Sequence, residues 1–239
     1  MHGTNNQYGL SYRLAYGYRK KVRVMKLTYR IMKRTADIVL SVVGLVVLLI
    51  PLALIALLIF LDNPGKIFFA QKRVGRNGEL FYIYKLRTMR SDTPAYLSTA
   101  QMKDPNRYLT RIGRVLRQLS IDELPQLINV IRGDMSLIGP RPLIPEEVDI
   151  HQLRMENGVY SVRPGITGLA QINGRDLTSP EDKVYWDALY VRRCCLKLDL
   201  KILLCTIPQI LTGKGVVEGY EPNAEANLEP IGTTNGKYE

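Results

Sequence analysis

From Ile38 to Leu61 the chain reads IVLSVVGLVVLLIPLALIALLIFL, and this stretch decides the fold. It contains no charged residue and is bounded by Asp37 and Asp62. An α-helix rises about 1.5 Å per residue, so the stretch is long enough to cross the hydrocarbon of a bilayer. A basic region precedes it and no small-residue cleavage pattern follows it, unlike in a cleaved signal peptide. The sequence therefore predicts a membrane helix that stays in the mature chain.

Basic residues flank this apolar stretch on both sides. They are Arg30, Lys33 and Arg34 before it and Lys66, Lys72, Arg73 and Arg76 after it. Because basic flanks favour the cytoplasmic side of a membrane, both ends are expected there. A helix broken at Pro51, near the middle, would enter and return through the same face. We therefore hypothesise a re-entrant hairpin kinked at Pro51, and a plain single pass with a mild proline kink is the alternative.

Length and charge limit the class of protein. The chain has 239 residues, enough for one domain with a core and an appended segment, and a formal net charge of +11. This charge favours anionic partners, which include nucleic acid, a phospholipid surface and phosphorylated small molecules. No helix-turn-helix, zinc-finger or stacking-aromatic signature accompanies the charge, so a nucleic-acid partner is not expected.

Cysteine and histidine offer little material for a metal centre or a catalytic triad. Cys194, Cys195 and Cys205 lack metal-ligand spacing, and their odd count argues against a disulfide framework. Reduced cysteines that face the cytoplasm are expected. The histidines are His2 and His151, and we expect His151 to be an ordinary surface residue.

Two further segments suit a membrane surface. The stretch from Leu198 to Leu211 is apolar but too short to span a bilayer, so it suits either a helix in the headgroup layer or an ordinary core helix. The basic stretch from Arg13 to Arg34 contains several tyrosines and suits either anionic lipid headgroups or a solvated arm. The sequence leaves both pairs of alternatives open.

Residues Ile67 to Met89 predict a β-hairpin that turns at Asn77 and Gly78. In its second strand, period-two alternation places Lys85 and Arg87 on one face, beyond an apolar base. The two cations could bind phosphate. From this segment alone, however, cations that keep an exposed strand edge from pairing further are the favoured interpretation.

Helical spacing resumes after a polar stretch from Ser91 to Asn106, which predicts a loop that could cover a site. A helix is predicted from Arg111 to Leu119, with its arginines opposite its apolar face. A second helix is predicted from Ile121 to about Arg132, ended by Gly133.

The start of this second helix, SIDE from Ser120 to Glu123, has two interpretations. Ser120 and Glu123 have the spacing of a capping box, which would only start the helix. Alternatively, Asp122 lies in the first turn, where free N–H groups and the macrodipole favour its anionic form, and could act as a nucleophile. Glu123 could then hold a divalent cation. From these residues alone, capping is favoured.

Two loops rich in glycine and proline follow, from Gly139 to Pro145 and from Val162 to Arg175. Each sets an arginine, Arg141 or Arg163, against prolines. A restricted backbone lowers the entropy lost when such an arginine binds phosphate or carboxylate. Solvated surface arginines are the alternative for each loop. Together with the carboxylate pair and the membrane helix, the loops favour phosphate chemistry.

Taken together, these segments resemble the bacterial sugar transferase family, the monotopic polyprenyl-phosphate phosphoglycosyl transferases. The resemblance runs from about Tyr29 to Lys214 and depends on several motifs in order. They are KRTADIVL (33–40), FYIYKLRTM (81–89), SIDELPQL (120–127), GDMSLIGPRPL (133–143), VRPGITGLAQINGR (162–175) and YWDALYV (185–191).

The resemblance implies an α+β fold in a monotopic membrane protein. Its parts would be a kinked re-entrant N-terminal helix broken at Pro51, a β-hairpin and a mainly helical cytoplasmic domain with interfacial amphipathic helices. The chain divides into a basic extension (1–28), the re-entrant region (29–65), a catalytic domain (66–214) and a polar acidic tail (215–239). The implied location is the bacterial cytoplasmic (inner) membrane, with the catalytic domain on its cytoplasmic face. The oligomeric state stays open, and a homo-oligomer is allowed.

The resemblance also implies a reaction, in which a sugar 1-phosphate passes from a UDP-sugar to polyprenyl (undecaprenyl) phosphate and UMP is released. Asp122 would attack the sugar-bearing phosphate and form a covalent intermediate, and Glu123 would help to hold Mg²⁺. The residues implied to bind substrate are Lys85, Arg87, Arg141, Arg163 and Asp187, of which Asp187 would also support the metal. The implied partners are the UDP-sugar, polyprenyl phosphate and membrane lipids. The alternative is a non-catalytic, membrane-anchored interaction protein.

Overall fold

The computed structural model describes residues 27–90, 93, 105–174 and 179–212. Residues 1–26 of the basic extension, the acidic tail and most of the polar loop from Ser91 to Asn106 lie outside the described residues. The predictions made for those segments therefore fall outside them as well.

The described chain is a mixture of helix and strand in which helix predominates. Helices α1 to α7 span Leu27–Asp62, Arg111–Gln118, Gln126–Arg132, Val148–Glu156, Leu169–Ile172, Pro180–Arg193 and Leu196–Thr212. Strands β1 to β4 span Phe68–Val74, Leu80–Leu86, Ser136–Ile138 and Gly165–Thr167. Short 3₁₀-helices span Arg76–Gly78, Pro105–Tyr108, Ile121–Glu123 and Val159–Ser161. We refer to residues 67–212 as the globular part.

Helix α1 contains the apolar stretch and is compatible with membrane anchoring. It is long and apolar enough to cross a membrane, and 6% of its most apolar window is buried within the protein. Pro51 lies inside the helix, which continues on both sides of it. The re-entrant break at Pro51 therefore stays a prediction.

One face of α1 packs along the globular part. Asp37, Ser41 and Ile59 are buried, and they recur at the spacing of a helical stripe. Val46 and Ile50, on the opposite face, are exposed. Between Val39 and Leu61 the exposed residues of α1 are all apolar, which is compatible with contact with a membrane.

Polar contacts join the start of α1 to α6 and α7. Asp199 of α7 accepts hydrogen bonds from Tyr29 Oη at 2.8 Å and from Lys33 Nζ at 3.1 Å. Its other oxygen accepts a bond at 2.8 Å from Tyr190 of α6, a buried residue. A buried carboxylate with three donors is well satisfied, so this cluster fixes the start of α1.

The far end of α1 is also joined to the globular part. The Asp62 carboxylate accepts a hydrogen bond from the Ile112 N–H of α2 at 3.4 Å. Arg87, just after β2, donates to the carbonyl of Asn63. Ile59 packs with Leu86 and with further apolar side chains of α2. The globular part thus contacts both ends of α1.

The predicted hairpin is confirmed, since β1 and β2 pair in antiparallel register from Phe68 opposite Leu86 to Val74 opposite Leu80. Asn77 and Gly78 in the turn have φ angles of 59° and 76°. Asparagine and glycine accept this left-handed backbone more readily than other residues, which explains why the chain turns there.

Helix α3 is fixed against β2 by Asn129, which is fully buried. Asn129 Nδ2 donates to the carbonyl of Tyr82 at 2.7 Å, and its Oδ1 accepts from the Tyr84 N–H at 3.2 Å. Ile83 of β2 and Val130 of α3 pack together in a buried apolar cluster that also contains Met135, which follows α3. This packing places the Ile121–Glu123 turn beside the strand that carries Lys85.

Helix α7 covers the predicted segment from Leu198 to Leu211 and belongs partly to the core. Ile202 is fully buried in a cluster that also contains Ile138 and Tyr190, whereas Leu200 and Leu204 are exposed. The core-helix alternative is therefore correct for one face. Contact of the exposed face with a membrane stays a prediction.

Candidate active site

The carboxylate pair lies in a short 3₁₀-turn, and the capping box predicted for it is wrong. Ser120 has left-handed backbone angles (φ 54°, ψ 22°), and its side chain makes no capping hydrogen bond. Glu123 does not turn back to Ser120 but reaches Lys85 and Arg141. Tertiary cations thus outweigh the local capping contact.

The single helix predicted from Ile121 to Arg132 is likewise divided. The 3₁₀-turn ends at Glu123, and α3 begins at Gln126. Pro125 lies between them and has no N–H to donate to the carbonyl of Ile121, so a continuous helix loses a bond there. The predicted end at Gly133 is confirmed, with a left-handed φ of 97°.

Lys85 and Arg141 converge on Glu123, although they come from distant parts of the chain. Lys85 Nζ lies 2.7 Å from Glu123 Oε1. Arg141 binds Glu123 through both of its terminal nitrogens, Nη2 to Oε1 at 2.8 Å and Nη1 to Oε2 at 3.3 Å. Burial opposes ionisation of Glu123, but Arg141 and Lys85 outweigh it and hold its pKa well below the usual range. Glu123 is therefore an anion at neutral pH.

Asp122 has a different electrostatic environment from its neighbour. It is 6% exposed, and its Oδ2 lies 3.9 Å from Lys85 Nζ. Burial raises the pKa of Asp122, and the charge of Glu123 adds to this rise, while Lys85 and the nearby arginines oppose it. The cations, rather than the start of a regular helix, thus favour the anionic form of Asp122.

Asp187 lies behind Arg141 rather than against Glu123. Its Oδ2 accepts from Arg154 Nη2 at 2.5 Å, and the two side chains are 1% and 4% exposed. Arg154 Nη1 in turn donates to the backbone carbonyl of Arg141 at 2.8 Å. Burial raises the pKa of Asp187, and Arg154 opposes this. A direct role of Asp187 toward metal or substrate stays a prediction.

Arg87 and Arg163 satisfy backbone carbonyls at helix ends. Arg87 donates to the carbonyl of Asn63, just beyond α1. Arg163 Nε donates to the carbonyl of Gly133, just beyond α3, at 2.8 Å. Carbonyls at a helix C-terminus lack partners within the helix, so an arginine there has a structural use. Substrate binding by Arg87 and Arg163 stays a prediction.

Sequence reasoning missed Arg154, Arg73 and His151. Arg73 Nη1 donates to the carbonyl of Pro142 at 3.3 Å, and burial together with the charge of Arg141 lowers its pKa to about 10. Arg154 lies in no recognised motif, so the sequence contains no signal for its role. For Arg73, the sequence indicates only a basic flank of the apolar stretch.

The prediction that His151 lies at the surface is wrong, because it is fully buried. Its Nε2 is 2.7 Å from the carbonyl of Ile144, and its Nδ1 contacts the Tyr160 hydroxyl. A carbonyl only accepts, so Nε2 carries the proton, and burial lowers the pKa of the ring. The helix VDIHQLRME mixes polar and apolar residues without a clear apolar stripe, so its sequence does not indicate that His151 faces the core.

Among the residues of this site, Glu123 is the side chain best suited to bind a divalent cation. Within the described ranges, no group of three or more His, Cys, Asp or Glu side chains could hold a metal ion. Mg²⁺ is commonly held by one or two carboxylates together with substrate phosphates, so Glu123 is a suitable donor. Both of its oxygens are engaged by cations, Oε1 by Lys85 and Oε2 by Arg141. Metal binding by Glu123 stays a prediction.

Comparison with known proteins gives a family match and close relatives. A family model described as bacterial sugar transferase matches residues 28–213. The chain is 38% identical over 200 residues to the exopolysaccharide production protein ExoY of Sinorhizobium fredii, which covers 77% of this chain and 88% of that protein.

Two further relatives have names that state a reaction. A UDP-glucose:undecaprenyl-phosphate glucose-1-phosphate transferase of Caulobacter vibrioides is 43% identical over 190 residues, covering 75% of this chain and 70% of that protein. A UDP-N-acetylgalactosamine-undecaprenyl-phosphate N-acetylgalactosaminephosphotransferase of Aeromonas hydrophila is 40% identical over 193 residues, covering 78% of this chain and 45% of that protein.

Proposed function

Because this chain belongs to the bacterial sugar transferase family, we propose that it transfers a sugar 1-phosphate from a UDP-sugar to undecaprenyl phosphate and releases UMP. The chain is a phosphoglycosyl transferase, because relatives of this family are named as enzymes that transfer a sugar phosphate to undecaprenyl phosphate. The observation that supports the reaction best is the buried Asp122–Glu123 pair with Lys85 and Arg141 converging on it. Exopolysaccharide production, named for one relative, favours a role at the start of surface glycan assembly.

We propose that the reaction proceeds in two steps through Asp122. A carboxylate oxygen of Asp122 forms a bond to the sugar-bearing phosphorus, and the bond from this phosphorus to the bridging oxygen breaks, so UMP leaves with the electron pair. An oxygen of the lipid phosphate then attacks the same phosphorus and the Asp122 carboxylate leaves. Burial supports this role, because a poorly solvated carboxylate is a better nucleophile than a hydrated one.

Lys85 and Arg141 bind the carboxylate of Glu123 in the structure, and the donor diphosphate also offers them anionic oxygens. We propose that arrival of the donor draws one or both cations from Glu123 to phosphate oxygens. Arg141 suits this exchange because its two nitrogens already bind a pair of oxygens. When bound, Mg²⁺ would offset further charge on the diphosphate. Once Lys85 or Arg141 has left Glu123, the Glu123 carboxylate is the group that would hold the Mg²⁺.

The contacts of α1 support a re-entrant placement. A helix that crosses a bilayer once has its ends on opposite sides, so one globular part would contact one end only. Here Lys33 near the start of α1 pairs with Asp199, and Asp62 at its end pairs with the backbone of α2. We therefore propose that α1 enters and leaves through the cytoplasmic face, broken at Pro51, with the exposed face of α7 at the membrane surface.

Site-specific labelling tests this placement. In a background with Cys194, Cys195 and Cys205 changed to serine, cysteines are introduced as Met32→Cys before the apolar stretch and as Lys66→Cys after it. Both should resist a membrane-impermeant maleimide in intact cells and react after permeabilisation, as should the reference variant Asp149→Cys in the globular part. Reaction of one flank but not the other in intact cells would reject the re-entrant placement.

A UMP-release assay tests the reaction itself. Membranes or detergent micelles that contain the protein are incubated with undecaprenyl phosphate and, in turn, each member of a panel of UDP-sugars. We expect UMP release with at least one donor, dependent on the lipid phosphate and abolished by EDTA, because a cation must offset the diphosphate charge. Activity unchanged in EDTA would contradict the Mg²⁺ proposal. Absence of UMP with every donor would instead favour a non-catalytic, membrane-anchored protein.

A further inference from the structure

We name the loop from Gly139 to Pro145 the arginine loop, because it carries Arg141. Five consecutive backbone carbonyls of this loop accept hydrogen bonds from other parts of the chain. Their partners come from three different parts of the chain, β1, α4 and β4. Gly165 N–H donates to Pro140 at 2.9 Å, Arg154 Nη1 to Arg141 at 2.8 Å, Arg73 Nη1 to Pro142 at 3.3 Å, Val74 N–H to Leu143 at 3.0 Å and His151 Nε2 to Ile144 at 2.7 Å. Tertiary contacts therefore fix the path of the loop, beyond the local stiffness of its prolines.

The bond to the carbonyl of Arg141 differs from the others in how its donor is held. Arg154, from α4, is bound at its second terminal nitrogen by Asp187, from α6. A guanidinium is planar and rigid, so the carboxylate on one nitrogen fixes the direction of the other. Asp187, Arg154 and the backbone of Arg141 thus form a continuous chain of charge-assisted contacts that ends at the side chain bound to Glu123.

We propose that Asp187 and Arg154 are positioning residues, which act on the transfer reaction only through the placement of Arg141. This inference rests on the proposed transferase function. The structure favours it over direct contact with the reacting groups, because Asp187 is 1% exposed and Arg154 lies between it and the arginine loop. A cation that must move from Glu123 to a phosphate needs a fixed backbone, since a small displacement of a binding group costs much of its effect.

A double-mutant cycle with Arg141 tests this proposal. Asp187→Asn and Arg154→Lys are each made in the natural chain and in Arg141→Ala, and single-turnover formation of the phosphosugar adduct is followed by mass spectrometry. In the natural chain we expect each change to slow the reaction about 10-fold or more. In Arg141→Ala the same changes should slow it less than about 3-fold, because the group that they position is absent.

The matched control is Arg192→Lys. Arg192 of α6 donates to Asn157 at the end of α4 at 3.4 Å, so it joins the same two helices without touching the arginine loop. We expect Arg192→Lys to leave the rate within about 2-fold of the natural chain. If Asp187→Asn slows adduct formation by the same factor in the natural chain and in Arg141→Ala, then Asp187 and Arg154 have only a general structural role. That result would overturn the proposal. A shift in Mg²⁺ dependence on Asp187→Asn in both backgrounds would identify a metal ligand and would also overturn it.

Unfolding of a single variant is a separate outcome, because Asp187→Asn leaves the buried charge of Arg154 unpaired and Arg154→Lys loses the fixed geometry of the guanidinium. Thermal unfolding is therefore measured for every variant. If the single variants unfold, the paired change Arg154→Met with Asp187→Leu removes both charges at once and replaces them in the cycle. Failure of the positioning proposal and failure of the transferase function give different results. If the transferase function is wrong, the unchanged protein forms no adduct and releases no UMP with any UDP-sugar.

Discussion

Replacement of Asp122 by asparagine should abolish the phosphosugar adduct and lower UMP release by about a thousandfold or more, the size of loss typical of a missing nucleophile. The amide has nearly the shape of the carboxylate but carries no negative charge, and its oxygen is a much weaker nucleophile toward phosphorus. The measurement is mass spectrometry of the intact protein after incubation with the donor alone, without lipid phosphate. In the natural chain the added mass should equal one sugar phosphate, and hydroxylamine should remove it, as expected of an acyl phosphate.

Stability measurements separate this loss from misfolding. Because burial raises the pKa of Asp122, the fold disfavours its charge, and the neutral amide should leave the thermal midpoint unchanged or slightly higher. Asp149→Asn removes an exposed carboxylate of α4 and is the matched control, with activity and midpoint unchanged. An adduct of unchanged yield in Asp122→Asn would remove Asp122 as the nucleophile.

Replacement of Glu123 by glutamine should lower kcat/KM about 100-fold and raise the Mg²⁺ concentration needed for half-maximal activity. Glutamine retains one oxygen acceptor, but its amide nitrogen faces the guanidinium nitrogens of Arg141, which are also donors. Arg141 and Lys85 then lose the anion that holds them in place between turnovers. Glu156→Gln, an exposed change at the end of α4, is the matched control and should behave like the natural chain.

The pH dependence of Glu123→Gln gives a second measurement with a definite sign. The charge of Glu123 is among the causes that raise the pKa of Asp122, whereas Lys85 and Arg141 lower it. Removal of Glu123's charge, with both cations retained, should lower the pKa of Asp122, so the carboxylate remains ionised to lower pH. The acidic limb of the kcat/KM profile should therefore shift to lower pH while the plateau falls. A shift to higher pH would contradict this electrostatic account of the pair.

Local patterns in the sequence were sufficient for several elements of the fold. The hairpin from Ile67 to Met89 and the helix from Arg111 were predicted correctly, because strand alternation, an Asn-Gly turn and amphipathic spacing all act within a few residues. The uncharged stretch from Ile38 to Leu61 likewise gives a helix, since nothing in it interrupts helical hydrogen bonding except Pro51.

The errors arose where distant residues outweigh a local preference. Ser120 to Glu123 has the spacing of a capping box, but Lys85 and Arg141 offer Glu123 two charged partners in place of one backbone N–H. Two cationic partners stabilise the carboxylate of Glu123 more than a single backbone N–H does, so the turn adopts a different backbone. The acidic residues shortly before His151 favour a surface position, but its hydrogen-bond partners lie in other segments and hold the ring in the interior.

The sequence by itself determined that the chain has a long apolar helix, a hairpin, a carboxylate pair and arginines in proline-rich loops, since these depend on apolar length, on turn residues and on residue type. Only the tertiary structure decided which of the cations meet. Lys85 and Arg141 reach Glu123, Arg87 and Arg163 satisfy helix ends, and Asp187 lies buried behind Arg154. The physical reason is that a salt bridge depends on the distance between side chains in space, which the packing of α3 on β2 and of α4 on α6 sets, and spacing along the chain does not.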